Sequence, residues 1–276
     1  MATPFQPSLP RGIHHHGMLT FPDLRRSRVG AVVPPPSQRK NQSVLSPTEQ
    51  ARFLDAISTL NQRRSGVSIY GRLVSIHADM SHDMHNMDAT GQQRFLPWHR
   101  VYLYQLEQQL QRIHPDVAIP YWDWTEPAEQ AIPGWLQEVT LTVDVPAPGP
   151  GTVVVTRSPG TADQLSQVVQ GAQCQASLVE VTQMTDYTDF AGGLECIHDG
   201  VHEWVGGTMS ILDTAPADPL FWMHHANIDR LWWGWQTGPS GTGQNPVLSG
   251  SAAIMDPWPV DETQTRDLAN FNYVYV

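Results

Sequence analysis

Four histidines crowd the stretch Leu194–Gln236, and their spacing is that of metal ligands. Within LECIHDGVHEWVGG, His198 and His202 stand four residues apart, so on a helix their imidazoles lie one above the other on one face. The following segment, ADPLFWMHHANIDRLWWGWQ, opens with a helix start, because Asp218 suits the N-cap and Pro219 the first helical position. Phe221, His225, Ile228, Trp232 and Trp235 then recur at helical spacing, which turns His225 inward and leaves His224 pointing elsewhere. Asp229, four residues after His225, falls where it could orient a ligand imidazole. Three histidines on two inward faces make a metal site.

A second constellation lies upstream. In RFLPWHRVYLYQLEQQL, Pro97 can begin a helix along which His99, Tyr102, Leu103, Leu106 and Leu110 form one buried stripe. His77 shares a helical face with Tyr70, Leu73 and Val74, and HDMH supplies a third candidate in His82 or His85. One inward histidine is ordinarily a hydrogen-bonded core residue; six of them together weigh against that plain reading. Six neutral imidazoles without a thiolate or carboxylate suit copper better than magnesium or calcium, while zinc and iron sites usually carry fewer histidines.

These segments resemble the type 3 dicopper proteins, specifically the tyrosinase and catechol oxidase family. The resemblance rests on FLPWHR (95–100), IPYWDW (119–124), HDGVHEWVGGTM (198–209) and DPLFWMHHANIDRLWWGWQ (218–236), and it runs from about Arg39 to the end. It implies a mainly α fold, a central bundle of four antiparallel helices around two copper ions. Copper A would take His77, one of the HDMH pair and His99; copper B would take His198, His202 and His225. In many relatives the second copper A histidine precedes the FLPWHR histidine by nine residues, where this chain has Thr90. On a continuous helix His82, five after His77, would point away, whereas His85, eight after, is reachable from a loop, so His85 is the expected ligand.

The resemblance implies chemistry with phenols and dioxygen: ortho-hydroxylation of monophenols and oxidation of o-diphenols to o-quinones. A catechol or o-aminophenol oxidase, or an oxygen carrier of hemocyanin type, would use the same metal core, and a copper-loading partner protein is compatible with it. Glu195 and Asp199 resemble a family pair beside copper B that holds and orients a water able to deprotonate a phenol. Glu195 lies only three residues before His198, and Asp199 stands where monophenol-active members commonly have Asn. By family position Glu203 lines the entrance, the plain alternative being a solvated helix residue, and Leu212 gates access above copper A. Some relatives link a cysteine covalently to a copper A histidine; no cysteine lies between 77 and 99, so that link is not expected.

The elements that must position these residues are also legible. The 276 residues suit one large domain, expected over 39–276 after an extended arm over 1–38, with no lid domain following. A formal net charge of −11 without a basic patch argues against nucleic acid as a partner. No run is apolar and long enough for a membrane span, and the N-terminus lacks a signal-peptide pattern, so the chain is expected to be cytoplasmic as synthesised, export with a partner remaining open. The HHH tract at 14–16 reads as part of the arm. SPTEQARFLDAISTL carries a capping box, Ser46 with Glu49, ahead of a scaffold helix. LTVDV and TVVVT, separated by PAPGPG, read as a β-hairpin, and a short helix is expected near Asp163–Gln170. NFNYVYV resembles the tyrosine-bearing strand that closes the family's catalytic domain, with Arg39 as its arginine partner. The two cysteines, Cys174 and Cys196, allow one disulfide or none.

Overall fold

The computed structural model describes residues 35–63 and 66–276, so the HHH tract and most of the expected arm lie outside the described residues. The fold is mainly helical. Among the described residues, seven α-helices follow in chain order: α1 (Pro47–Asn61), α2 (Ile69–Ala78), α3 (Ala89–Gln111), α4 (Ala162–Val169), α5 (Leu178–Gln183), α6 (Tyr187–Val205) and α7 (Pro219–Thr237). Side-chain oxygens cap the helices that matter here. Ser46 and Glu49 form the expected box on α1, Ser68 caps α2, Asp88 accepts from two backbone N–H groups of α3, and Asp186 and Asp218 cap α6 and α7. Helix α3 is the hub, packed against both α6 and α7, with α1 behind it.

Helix α3 does not begin at Pro97 as the sequence suggests. It starts at Ala89 and runs through the proline, because Asp88 supplies a strong cap one turn upstream of the GQQRF segment. Pro97 cannot donate to the carbonyl of Gln93, and the Tyr187 hydroxyl from the first turn of α6 donates to that oxygen instead, at 3.1 Å. Gly91 thereby belongs to this helix and not to the preceding loop.

Two small sheets complete the body. Strands β2 (Thr142–Val145) and β3 (Gly151–Val154) form the expected antiparallel hairpin, which packs on α2. Strand β1 (Ser37–Arg39), which starts inside the boundary drawn for the arm, pairs in parallel with β4 (Tyr273–Tyr275) near the other end of the chain. Here the expected Arg39–tyrosine pairing is found: the guanidinium lies 3.6 Å from the centre of the Tyr273 ring and donates to Glu107 at 2.9 Å.

The Asp229 carboxylate is claimed by this network and not by an imidazole. Its Oδ2 accepts from the hydroxyls of Tyr273 and Tyr275, both at 2.5 Å, and from Arg39; its Oδ1 accepts from Arg100 Nε at 2.5 Å. Two fully buried guanidiniums require a counter-charge, which leaves Asp229 no capacity to orient a ligand. Cys174 and Cys196 form a disulfide that ties the turn after α4 to the middle of α6. No helix among the described residues is long and apolar enough to cross a membrane.

Gly91 is where loop 79–88 meets α3. A Cβ there would fall 1.8 Å from the carbonyl oxygen of His85, so any side chain must push the loop outward. Gly91→Ala is expected to lower stability by about 1–3 kcal/mol, as overpacking does, measured by chemical denaturation of the metal-free protein. A stability equal to or above wild type would contradict the close approach.

Candidate metal centre

Seven imidazoles meet between α2, α3, loop 79–88, α6 and α7, in two groups. Ligand-capable atoms of His77, His85 and His99 lie within 4.8 Å of one another, and so do those of His198, His202, His224 and His225. The two groups are in contact: the rings of His99 and His225 stack at 4.3 Å. His82 is not among them. Its Nδ1 meets Asp256 Oδ2 at 2.5 Å and its ring stacks on Trp98, because the chain turns through a left-handed residue at Asp83 and brings His85 inward instead.

The outer nitrogen of each ring decides what the inner one offers. His77 Nδ1 faces the carbonyl of Leu212 at 3.1 Å, His99 Nδ1 that of Phe95 at 2.8 Å, and His202 Nδ1 that of Met209 at 2.8 Å. A carbonyl can only accept, so each of these rings carries its proton on Nδ1 and presents a bare Nε2 lone pair to the interior. His198 Nδ1 meets the Asp199 carboxylate at 3.0 Å, and His85 Nδ1 stands 3.5 Å from that of Glu195. The inward Nε2 atoms are correspondingly crowded: 3.2 Å between His77 and His85, 3.1 Å between His198 and His225, and 3.4 Å between His202 and His225. His99 Nε2 is buried without any partner. Lone pairs at such distances repel one another unless cations bind them, and outward donation from Nδ1 is the arrangement that fixes metal-ligating histidines. The donor set fits two copper ions, each with three neutral imidazoles.

His224, expected to point elsewhere than His225, is nonetheless not turned to solvent. It is fully buried, stacked on His198 at 4.9 Å, and so belongs spatially to the second group. Its Nδ1, however, accepts from the indole N–H of Trp124 at 2.9 Å. The proton of neutral His224 therefore sits on Nε2, and the ring has no free lone pair to offer. It packs the ligands without joining them.

Phe95 and Phe221 also pack the centre, and Phe95 was not singled out by spacing although it lies one turn before His99. Phe95 approaches the rings of His99 and His198, both at 4.9 Å; Phe221 approaches those of His225 at 4.1 Å and His77 at 5.1 Å. Each phenyl touches both groups.

The comparisons with known proteins agree with this centre. Residues 67–157 and 147–238 match the common central domain of tyrosinase. A tyrosinase of Streptomyces glaucescens is 32% identical over 280 residues, an alignment covering 86% of this chain and 97% of that protein. The chain belongs to the tyrosinase family. Members of this family bind a dinuclear copper centre, and the two histidine groups stand where such a centre would be held. The family's kinship with hemocyanins is visible as well. Hemocyanin G-type of Enteroctopus dofleini is 28% identical across 72% of this chain but only 8% of its own length. A functional unit of octopus hemocyanin shares the fold with a TM-score of 0.66 at 24% identity, covering 87% of this chain and 68% of that one.

The remaining residues singled out in the sequence are less uniform in their placement. Glu195 is buried, but it faces the loop of the first group: Oε1 accepts from the Asn86 N–H at 2.8 Å, and Oε2 has no partner. Asp199, one turn along α6, is exposed except for its contact with His198. Leu212 is half-buried and orients His77 through its carbonyl. Glu203 is exposed, one turn beyond Asp199, and lines a cleft with Gln164, Gln167 and Trp204 that none of the six imidazoles borders. Its surroundings are those of a solvated helix residue.

Two outcomes follow for the metal-free and copper-loaded protein. His85→Ala should leave one copper per chain by elemental analysis, and His82→Ala should leave two; the reverse pattern would exchange the two roles. Burial, reinforced by neighbouring imidazoles, holds His77, His99, His202 and His225 well below the ordinary imidazole range. Unfolded imidazoles titrate near about 6.5, so the stability these groups contribute is present above that pH and lost as pH falls through it. The melting temperature of the metal-free protein should therefore drop between about pH 7 and pH 5. A flat profile across that range would count against neutral, buried imidazoles.

Proposed function

We propose that the chain is a copper-dependent polyphenol oxidase that hydroxylates monophenols at the ortho position and oxidises o-diphenols to o-quinones, with His77, His85 and His99 on one copper and His198, His202 and His225 on the other. The observation that carries the monophenol part is Asp199. Its carboxylate meets His198 Nδ1 and is otherwise open to solvent, which supports reading it as a proton acceptor for an incoming phenol. In support of an enzyme over an oxygen carrier, the tyrosinase of Streptomyces glaucescens is more similar in sequence, at 32% against 28% identity for the hemocyanin, and over more of this chain. The disulfide favours an oxidising compartment, and therefore the export left open by the sequence, over residence in the cytoplasm.

Two copper ions so held would supply the redox capacity that couples phenol oxidation to reduction of dioxygen. The chain's own residues have a narrower task, which is to make the phenol ready. With an ordinary pKa near 10, a phenol gives up its proton at neutral pH at a cost of roughly 4 kcal/mol. Asp199 takes that proton directly or through a water, while its other contact keeps His198 in the tautomer that points a lone pair inward. Leu212 contributes its carbonyl to His77 and so helps to orient that ring.

A catechol or o-aminophenol oxidase without monophenol activity is the second reading, and Glu195 favours it. Its Oε1 is committed to Asn86 and its nearest imidazole is His85, so it is not shown paired with Asp199 around one water. Oxygen uptake by copper-loaded protein with matched monophenols, o-diphenols and o-aminophenols separates these readings, and reversible oxygen binding without turnover would point to carriage. Asp199→Ala should depress the monophenol rate at least about tenfold relative to the diphenol rate, in line with lost general-base help. Equal losses on both substrates would remove Asp199 from proton transfer.

A further inference from the structure

Five of the six inward histidines stand on helices, and only His85 stands on a loop, where the backbone has no ladder of hydrogen bonds to hold it. Loop 79–88 contains a single short 3-10 turn, Met80–His82, followed by Asp83 at a φ of 49°. Something else must fix the position of His85.

The surroundings of Arg94 supply it. This side chain sits on α3, five residues before His99, and is 2% exposed. Its Nε donates to the carbonyls of His82 and Asp83, both at 3.1 Å, and its Nη2 donates to His82 again at 2.9 Å, so the guanidinium brackets the left-handed residue. Nη1 donates to the carbonyls of Ala252 at 2.5 Å and Ile254 at 2.7 Å. Nη2 also donates to Asp256 Oδ1 at 2.5 Å, and the other oxygen of Asp256 holds His82 Nδ1. One planar group thus joins α3, loop 79–88 and the 252–256 segment. On the far side of His85, Glu195 receives the Asn86 N–H, so the loop is gripped on both sides of the inward residue. Gly91, one turn before Arg94 on the same helix, permits the close approach.

We propose that Arg94 is a positioning residue for the loop-borne ligand His85, with Asp256 and His82 as its outer tether. The inference rests on the reading of His77, His85 and His99 as one copper site. His85 precedes α3 and does not stand on it, and an arginine on that helix reaches back to hold the loop that bears it. Lysine cannot substitute, because its donors radiate from one atom, whereas guanidinium donors fork in a plane toward acceptors on two sides.

The test is copper retention. Copper-loaded protein is dialysed against a chelator, and copper per chain and its release rate are measured by elemental analysis. Arg94→Lys keeps the charge and should speed release of one copper about 10–100-fold, the usual effect of removing a group that orients a ligand, while the other copper stays at the wild-type rate. In a His225→Ala background, adding Arg94→Lys should release the remaining copper; in a His99→Ala background, it should not. Asp256→Asn, which leaves the carbonyl contacts in place, should give a smaller acceleration at the same site and serves if the lysine variant does not fold. Hydrogen exchange at residues 83–87 should rise in both variants. Wild-type retention of both coppers in Arg94→Lys and Asp256→Asn, or equal loss from both sites, overturns the proposal. Wild-type protein that binds fewer than two coppers overturns the underlying metal reading and this inference with it.

Discussion

The imidazole lone pairs that converge at the centre of the bundle oppose one another, and the surrounding structure is arranged to keep them pointed inward all the same. Three of the outer nitrogens donate to backbone carbonyls, at Phe95, Met209 and Leu212. A backbone acceptor cannot rotate away as a side chain can, so the tautomer is set by the course of the chain itself. The Phe95 carbonyl belongs to the same helix as His99, which makes that imidazole almost self-orienting. The Met209 and Leu212 carbonyls come from the connection between α6 and α7, so this short irregular segment orients one imidazole in each group. Trp124 applies the opposite rule to His224, donating to its Nδ1 and thereby withdrawing a seventh imidazole from the set.

Behind the centre lies a second polar assembly with a different purpose. Arg100 follows His99 on α3, and Asp229 follows His225 by one turn on α7, so the two helices that carry the closest pair of facing ligands are joined a few ångströms further out by a buried ion pair. Arg39 and the hydroxyls of Tyr273 and Tyr275 complete it, bringing the two ends of the described chain onto the same carboxylate. Buried ion pairs are weak sources of stability and better sources of register. Here the register in question is that of α3 against α7, on which the stacking of His99 over His225 depends.

Much of this was legible in the sequence. The i, i+4 pair His198 and His202, the inward phase of His225, the capped starts of α1 and α7, and the hairpin all follow from local periodicity and capping chemistry. What was misread depends on contacts across the fold. Pro97 looks like a helix start because proline normally is one, and only the Tyr187 hydroxyl, 90 residues later, makes its interior position tolerable. Asp229 has the spacing of a residue that orients His225, but spacing carries no information about two arginines approaching from other elements. His224 was read only as pointing elsewhere than His225, because helical phase describes one helix at a time and does not show that Trp124 closes that side as well. Arg94 gave no signal, since its acceptors are mostly backbone carbonyls and a carbonyl has no residue type.

The disulfide between Cys174 and Cys196 has a consequence that concerns neither folding nor compartment. These are the only two cysteines in the chain, and Cys196 lies on α6 two residues before His198. An o-quinone is an electrophile, and the nucleophile in a protein that it meets most readily is a thiolate. An oxidase that generates quinones a few residues from a free thiol would arylate itself with its own product. With both sulfurs bonded to each other, the chain presents no thiol to such an electrophile.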